Sequence, residues 1–109
     1  MKELETITLC EERKEHLWVT VSAVIENGCL KISGQDLGDA VADRFGDDEY
    51  EYGYNFDEKN TEALTELLTA NGRSLKEALL EEFGGMEGCR RLCGFCGANK
   101  IEYEHWSWR

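Results

Sequence analysis

Apolar and polar residues alternate along several stretches of this chain, and successive side chains of a β-strand point to opposite faces. The clearest stretch runs from Asp47 to Glu58. Tyr50, Tyr52, Tyr54 and Phe56 share one parity there, while Glu49, Glu51, Asn55 and Asp57 hold the other. This predicts a strand with an aromatic side for a core and an acidic side for water or a positively charged partner. Leu17, Val19, Val21, Ala23 and Ile25 make a second apolar stripe, with Thr20 and Ser22 opposite. Leu4 to Cys10 alternates as well, with Ile7 and Leu9 against Thr6 and Thr8, and Glu11 to His16 reads as a charged connection. Near the end, Ile101, Tyr103 and His105 alternate with Glu102, Glu104 and Trp106, predicting a final strand that reaches Trp108.

Turn chemistry joins two of these strands. Asn27-Gly28 favours a two-residue turn with positive φ at both positions. Such a turn pairs Glu26 with Cys29, Ile25 with Leu30 and Ala23 with Ile32, so register and apolar pattern agree. Ser33 to Gly38 then reads as leaving the sheet, with Asp36 as the N-cap of a short helix carrying Leu37, Ala40, Val41 and Phe45. Asn60 or Thr61 opens a helix with Leu64, Leu67 and Leu68 on one face, and it stops at Asn71-Gly72. Ser74-Leu75-Lys76-Glu77 is a capping box for a helix burying Leu75, Ala78, Leu79 and Phe83. A glycine-interrupted helix follows from about Met86 to Asn99. The expectation is a single α+β domain over residues 1–109: a mainly antiparallel sheet of four to five strands, with three to four helices packed on one face. The pattern leaves the strand order open.

Charge changes the picture more than composition does. The chain has 109 residues and a formal net charge of −11. From Asp36 to Glu66, eleven acidic residues stand against only Arg44 and Lys59. Nucleic-acid phosphate and anionic membrane surfaces require clustered Lys and Arg, so neither is expected as a partner. An acidic flank of this kind serves either as a solubilising surface or as a docking face for a basic protein, a basic peptide or a cation. No charged-then-apolar signal pattern opens the chain, and no apolar run approaches the roughly 20 residues that cross a bilayer. With five cysteines, which cannot all pair within one chain, the expectation is a cytoplasmic protein with reduced thiols.

Cys89, Cys93 and Cys96 are the strongest candidates for chemistry. Their spacing, with Phe95 before the last cysteine, resembles the iron–sulfur loop of radical SAM enzymes. That resemblance covers eight residues, and the partial barrel that follows the loop in that family has no counterpart in the thirteen residues after Cys96. Zinc is the alternative cofactor, with His105, His16, Cys10 or Cys29 as a fourth ligand. A continuous helix would separate Cys89 and Cys96 by about 10.5 Å along its axis, whereas thiolates sharing a zinc sit roughly 3.8 Å apart. The helix would therefore have to break at Gly94. Cys89, Leu92, Cys93 and Cys96 also lie at i, i+3, i+4 and i+7, the apolar stripe of a helix, and free cysteine packs as a small hydrophobe. That favours packing against the sheet and no cofactor.

Nothing in the sequence specifies a reaction. There are two histidines, His16 in the charged connection and His105 on a strand face, and the 23 carboxylates single out no catalytic pair. No phosphate-cradling glycine loop and no calcium loop is present. The segments Trp18-Val19-Thr20-Val21, Ser33-Gly34-Gln35-Asp36-Leu37-Gly38, Phe45-Gly46-Asp47-Asp48-Glu49-Tyr50-Glu51-Tyr52 and Tyr103-Glu104-His105-Trp106-Ser107-Trp108 resemble a group of small acidic bacterial proteins. The resemblance implies a shared fold and no reaction, and its character is similar to that of immunity proteins, which block a basic toxin. On that reading the protein is no enzyme but a binding protein for a basic partner. Asp43, Asp47, Asp48, Glu49, Glu51, Asp57 and Glu58 would lie at the docking face, with Trp106 and Trp108 as anchors. The alternative for the two tryptophans is packing against a terminal helix.

Overall fold

The computed structural model describes residues 4–38 and 49–108. Their elements are β1 (Leu4–Lys14), β2 (Leu17–Glu26), β3 (Cys29–Leu37), β4 (Glu49–Asn55), α1 (Glu58–Thr69), α2 (Leu75–Phe83), α3 (Gly88–Asn99) and β5 (Glu104–Trp108). The strands form one antiparallel sheet in the order β1-β2-β3-β4-β5. The class is therefore α+β, and each strand lies beside its neighbour in sequence even though three helices intervene between β4 and β5.

The β2–β3 hairpin forms as its turn dictates. Asn27 has φ 53° and Gly28 φ 78°, and the register pairs Glu26 with Cys29, Ile25 with Leu30 and Ala23 with Ile32. The parity carrying Val19, Val21, Ala23 and Ile25 is buried. In β4 the tyrosine parity turns the same way, with Tyr54 and Phe56 buried and Tyr52 packed against the core.

Two expectations need correction. Glu11 to Lys14 belongs to β1, not to a connection: Glu11 pairs with Thr20 and Lys14 with Leu17, which leaves Glu15 and His16 as the turn. Ser33 to Leu37 likewise stays in the sheet, paired with β2 on one side and β4 on the other. Asp36 is thus a strand residue and caps no helix; its Oδ1 accepts a hydrogen bond from the Tyr52 hydroxyl at 3.0 Å. The reason lies at Gly34, which reads as a turn signal but serves close approach. A Cβ there would stand 2.4 Å from the Tyr52 ring, so glycine lets that ring lie across the strand. The rest of the helix expected after Asp36 falls outside the described residues.

The helices follow their caps. Asp57, three residues before the expected start, caps α1 by accepting from the Asn60 N–H at 2.8 Å. Ser74 caps α2 by accepting from the Glu77 N–H at 3.1 Å. Lys100, with φ 56°, ends α3 in the left-handed conformation. Leu64 and Leu68 of α1, Ala78, Leu79 and Phe83 of α2, and Leu92 and Cys96 of α3 join Val21, Ile25, Leu30, Ile32 and Tyr54 in one buried cluster. Thr61, a fully buried polar residue among them, accepts from the Leu30 N–H at 2.9 Å and so joins α1 to β3.

Candidate functional site

Alternation along the strands places a second set of side chains on the face opposite the core. These are Ser33 and Gln35 on β3, Glu49, Glu51 and Asn55 on β4, and Glu104, Trp106 and Trp108 on β5. The register sets Glu51 directly across from Trp108, and Gly53 across from Trp106. Gly53 shapes the surface. A Cβ at that position would lie 2.4 Å from Trp106 Nε1, so the indole rests on the bare backbone of β4. Trp106 is half-buried there, while Trp108 is 59% exposed.

Gln35 gathers the acids. Its Nε2 donates to Glu49 Oε1 at 2.7 Å and to Glu51 Oε1 at 3.3 Å, holding two carboxylates two residues apart on one strand side by side. The hydrogen bond shared with Glu49 raises the Glu51 carboxyl above its ordinary range, followed by burial and the like charge. Beside them a shallow depression of about 390 Å³ is lined by Thr20, Ser22, Ser33, Gln35, Glu51 and Trp106. Two crowded carboxylates next to two indoles suit a cation on an aliphatic stem. Its charge meets the acids while the stem lies on the rings, as lysine and arginine do.

The structure divides the other expected docking residues. Asp43, Asp47 and Asp48 lie outside the described residues. Asp57 serves the fold: its carboxylate takes the Asn60 backbone N–H and the Asn60 amide at 2.9 Å, and the backbone bond first of all lowers its pKa. Glu58 stands in the first turn of α1 against the β2–β3 turn, with its Cγ 3.1 Å from where a Gly28 Cβ would be. Asp57 and Glu58 are thus separated from Glu49 by the length of β4, roughly 20 Å. A second depression of about 540 Å³ lies at their end and mixes Lys31 with Asp57, Glu102 and Glu104. Glu49, Glu51, Trp106 and Trp108 form the coherent part of the set. Gln35 was not among the expected site residues. Its signal was available once β3 is carried past Ser33, because the hairpin register then places it beside the acidic parity of β4.

Among the thiols, Cys96 is fully buried with Leu92, and Cys89 and Cys93 are half-buried against the same cluster. α3 runs without a break through Gly94, so Cys89 and Cys96 keep about 10.5 Å of helix rise between them. Burial first, then the neighbouring Cys93, raises both Cys89 and Cys96 to about 11. Tyr103 is pushed to about 12, chiefly by its hydrogen bond with Cys93. Nucleophilic attack by a free thiol uses the thiolate, which burial disfavours at Cys89 and Cys96. Of the candidate fourth ligands, His16 stands in the β1–β2 turn and Cys29 beside the β2–β3 turn. His105 lies against Tyr54, its ring centroid 5.0 Å away, and Cys10 is buried with Sγ 3.9 Å from Met86 Sδ. Among the described residues no three His, Cys, Asp or Glu side chains converge as metal ligands. Comparison with protein-family models, curated proteins and solved structures finds no match.

Proposed function

We propose that this chain is an acidic binding protein that neutralises a basic protein partner, in the manner of an immunity-type inhibitor of a toxin. One observation carries the reading: Glu49 and Glu51, bridged by Gln35, share a sheet face with Trp106 and Trp108. The helices are read as one layer over the core face, leaving the opposite face free for the partner. Long-range attraction from the net negative charge would speed encounter, and the indoles would anchor the complex once water leaves the interface. Binding fits a face whose paired carboxylates are held by Gln35 beside two indoles. No described helix is long and apolar enough to cross a membrane. The free thiols suit a reducing cytoplasm.

The test begins with whatever co-purifies with the tagged protein from its native cells at 50 mM salt, followed by reconstitution from purified components. A basic partner is expected, with an association rate that falls about tenfold or more between 50 and 500 mM salt. Glu49→Lys with Glu51→Lys is expected to abolish the complex without altering the thermal transition by more than a few degrees. A salt-independent complex, or one that survives the double substitution, would leave the acidic residues with no role beyond solubility.

A further inference from the structure

The two edges of the sheet differ, and the difference indicates how a partner attaches. β1 is long, but its pairing with β2 shifts register between Leu4 and Ile7 and again between Thr8 and Cys10. Its Leu9 carbonyl already accepts the Gly85 N–H at 2.9 Å. Bulges and a covered edge are the devices by which sheets refuse a further strand. β5 has neither among the described residues. Its five residues pair with β4 without a register shift, from Asn55↔Glu104 to Glu51↔Trp108, and among the described residues no strand follows it in the sheet order. Alternate N–H and C=O groups along β5 therefore point away from the sheet, in the regular row that templates another strand.

Resting on the function proposed above, we infer that β5 receives an extended basic segment of the partner as a sixth strand. Charge complementarity selects the occupant. On the outer face an added residue beside Glu104 would face a carboxylate directly, since cross-strand neighbours stand about 5 Å apart. One beside Trp108 would lie two strand spacings, roughly 9.6 Å, from the Glu51 backbone. A lysine or arginine there can lay its stem across the exposed indole and bring its charge towards Glu51 and Glu49. On the other face the added strand would meet His105 and Ser107, both exposed, with the half-buried Tyr103 just before the strand. The segment is thus expected to alternate basic residues with apolar or small ones.

The probe is an end-blocked eight-residue peptide alternating lysine and valine, used at concentrations where it remains monomeric. Two further versions carry N-methyl groups, one on the lysine amides and the other on the valine amides. An N-methyl group removes a donor from one edge of an extended strand and leaves charge and side chains in place. Edge addition predicts binding by the unmodified peptide, loss of at least tenfold in affinity for one methylated version, and retention within about threefold for the other. It also predicts at least tenfold slower hydrogen exchange at alternate β5 amides. Equal effects of the two methylations, or no binding at millimolar peptide, would overturn strand addition. If the methylations act equally while Glu49→Lys with Glu51→Lys still abolishes binding, the acidic docking face stands and only the edge geometry falls. If peptide affinity ignores both salt and that double substitution, the function proposed above falls with it.

Discussion

Replacing Thr61 with valine tests how the end of the β3–β4 ladder is closed. Leu30 turns both of its backbone groups towards β4, but the strand pairing ends one residue earlier, at Lys31↔Asn55. The Leu30 carbonyl is taken by the Phe56 N–H at 2.9 Å, and its N–H is taken by Thr61 Oγ1 at the same distance. Leu30 is 1% exposed and Thr61 fully buried, so no water replaces the hydroxyl. Valine keeps the shape and deletes the acceptor. A buried N–H left without a partner costs about 1–3 kcal/mol, and about 2 kcal/mol is the central expectation for Thr61→Val. Thr61→Ser keeps the acceptor and loses one methyl group, worth about 0.8 kcal/mol of burial plus a small cavity term. Urea unfolding followed by far-ultraviolet circular dichroism separates the two. With an m-value of about 2 kcal/mol per molar, valine moves the midpoint down by about 1 M and serine by about half as much. Exchange of the Leu30 amide should quicken in the valine variant beyond what global destabilisation explains. A valine variant as stable as the wild type, or less damaging than serine, would refute the assignment of this bond.

Three further outcomes follow from single contacts. Gly53→Ala places a methyl group inside the Trp106 indole, so the ring should swing outward. In a background with Trp18 and Trp108 changed to phenylalanine, the remaining emission should shift to the red and become more accessible to acrylamide, at a stability cost of about 1–3 kcal/mol; unchanged quenching would show that the ring does not rest on the strand. Asp36 has its pKa raised by burial, partly countered by the Tyr52 hydrogen bond. The folded state thus holds its proton more tightly than the unfolded chain, and stability is lost as pH rises through the folded value. Asp36→Asn keeps the acceptor without the charge and should be more stable than wild type at pH 8, with the gap closing below about 3.8, the ordinary value for the free side chain; a gap independent of pH would contradict this. Cys96→Ser puts a hydroxyl among apolar groups and should cost about 2 kcal/mol, whereas Cys29→Ser at the hairpin turn should stay within about 0.5 kcal/mol, both read from urea midpoints.

What could be read from the sequence depended on whether a residue's local and long-range roles agreed. Asn27-Gly28 was legible because turn chemistry fixes a register that the apolar stripe independently demands. Glu11 to Lys14 was misread because charge suggested a loop, yet an edge strand is where charged residues belong. Gly34 and Asp36 were misread for the opposite reason. They carry a turn-and-cap signature, while their actual partner, Tyr52, stands sixteen residues or more further on in another strand. The site followed the same rule. Glu49, Glu51, Trp106 and Trp108 were each identifiable by parity, but that β4 and β5 are neighbours is set by packing across three helices and by no local pattern. Gln35 is not legible because the Ser33-Gly34 signature reads as the end of the strand that in fact carries it to Glu51.

Aromatic rings laid over glycines bear on the recognition proposed for this face. Tyr52 of β4 covers Gly34 of β3 on the core side, and Trp106 of β5 covers Gly53 of β4 on the other. Each pair is a shape lock between adjacent strands. Sliding β4 by two residues along β3 would bring Ile32 or Asp36 beneath Tyr52 in place of bare backbone, and sliding it by one would turn Glu49 and Glu51 into the core. The position of Glu51 between Gln35 and Trp108 is therefore set by the same contacts that determine the fold, and needs no partner to establish it. A face held this way gives up little conformational freedom when something docks. Its affinity for a basic segment should then depend on contacts rather than on ordering, so that loosening either lock, at Gly34 or at Gly53, weakens binding even though neither glycine has a side chain to touch the partner.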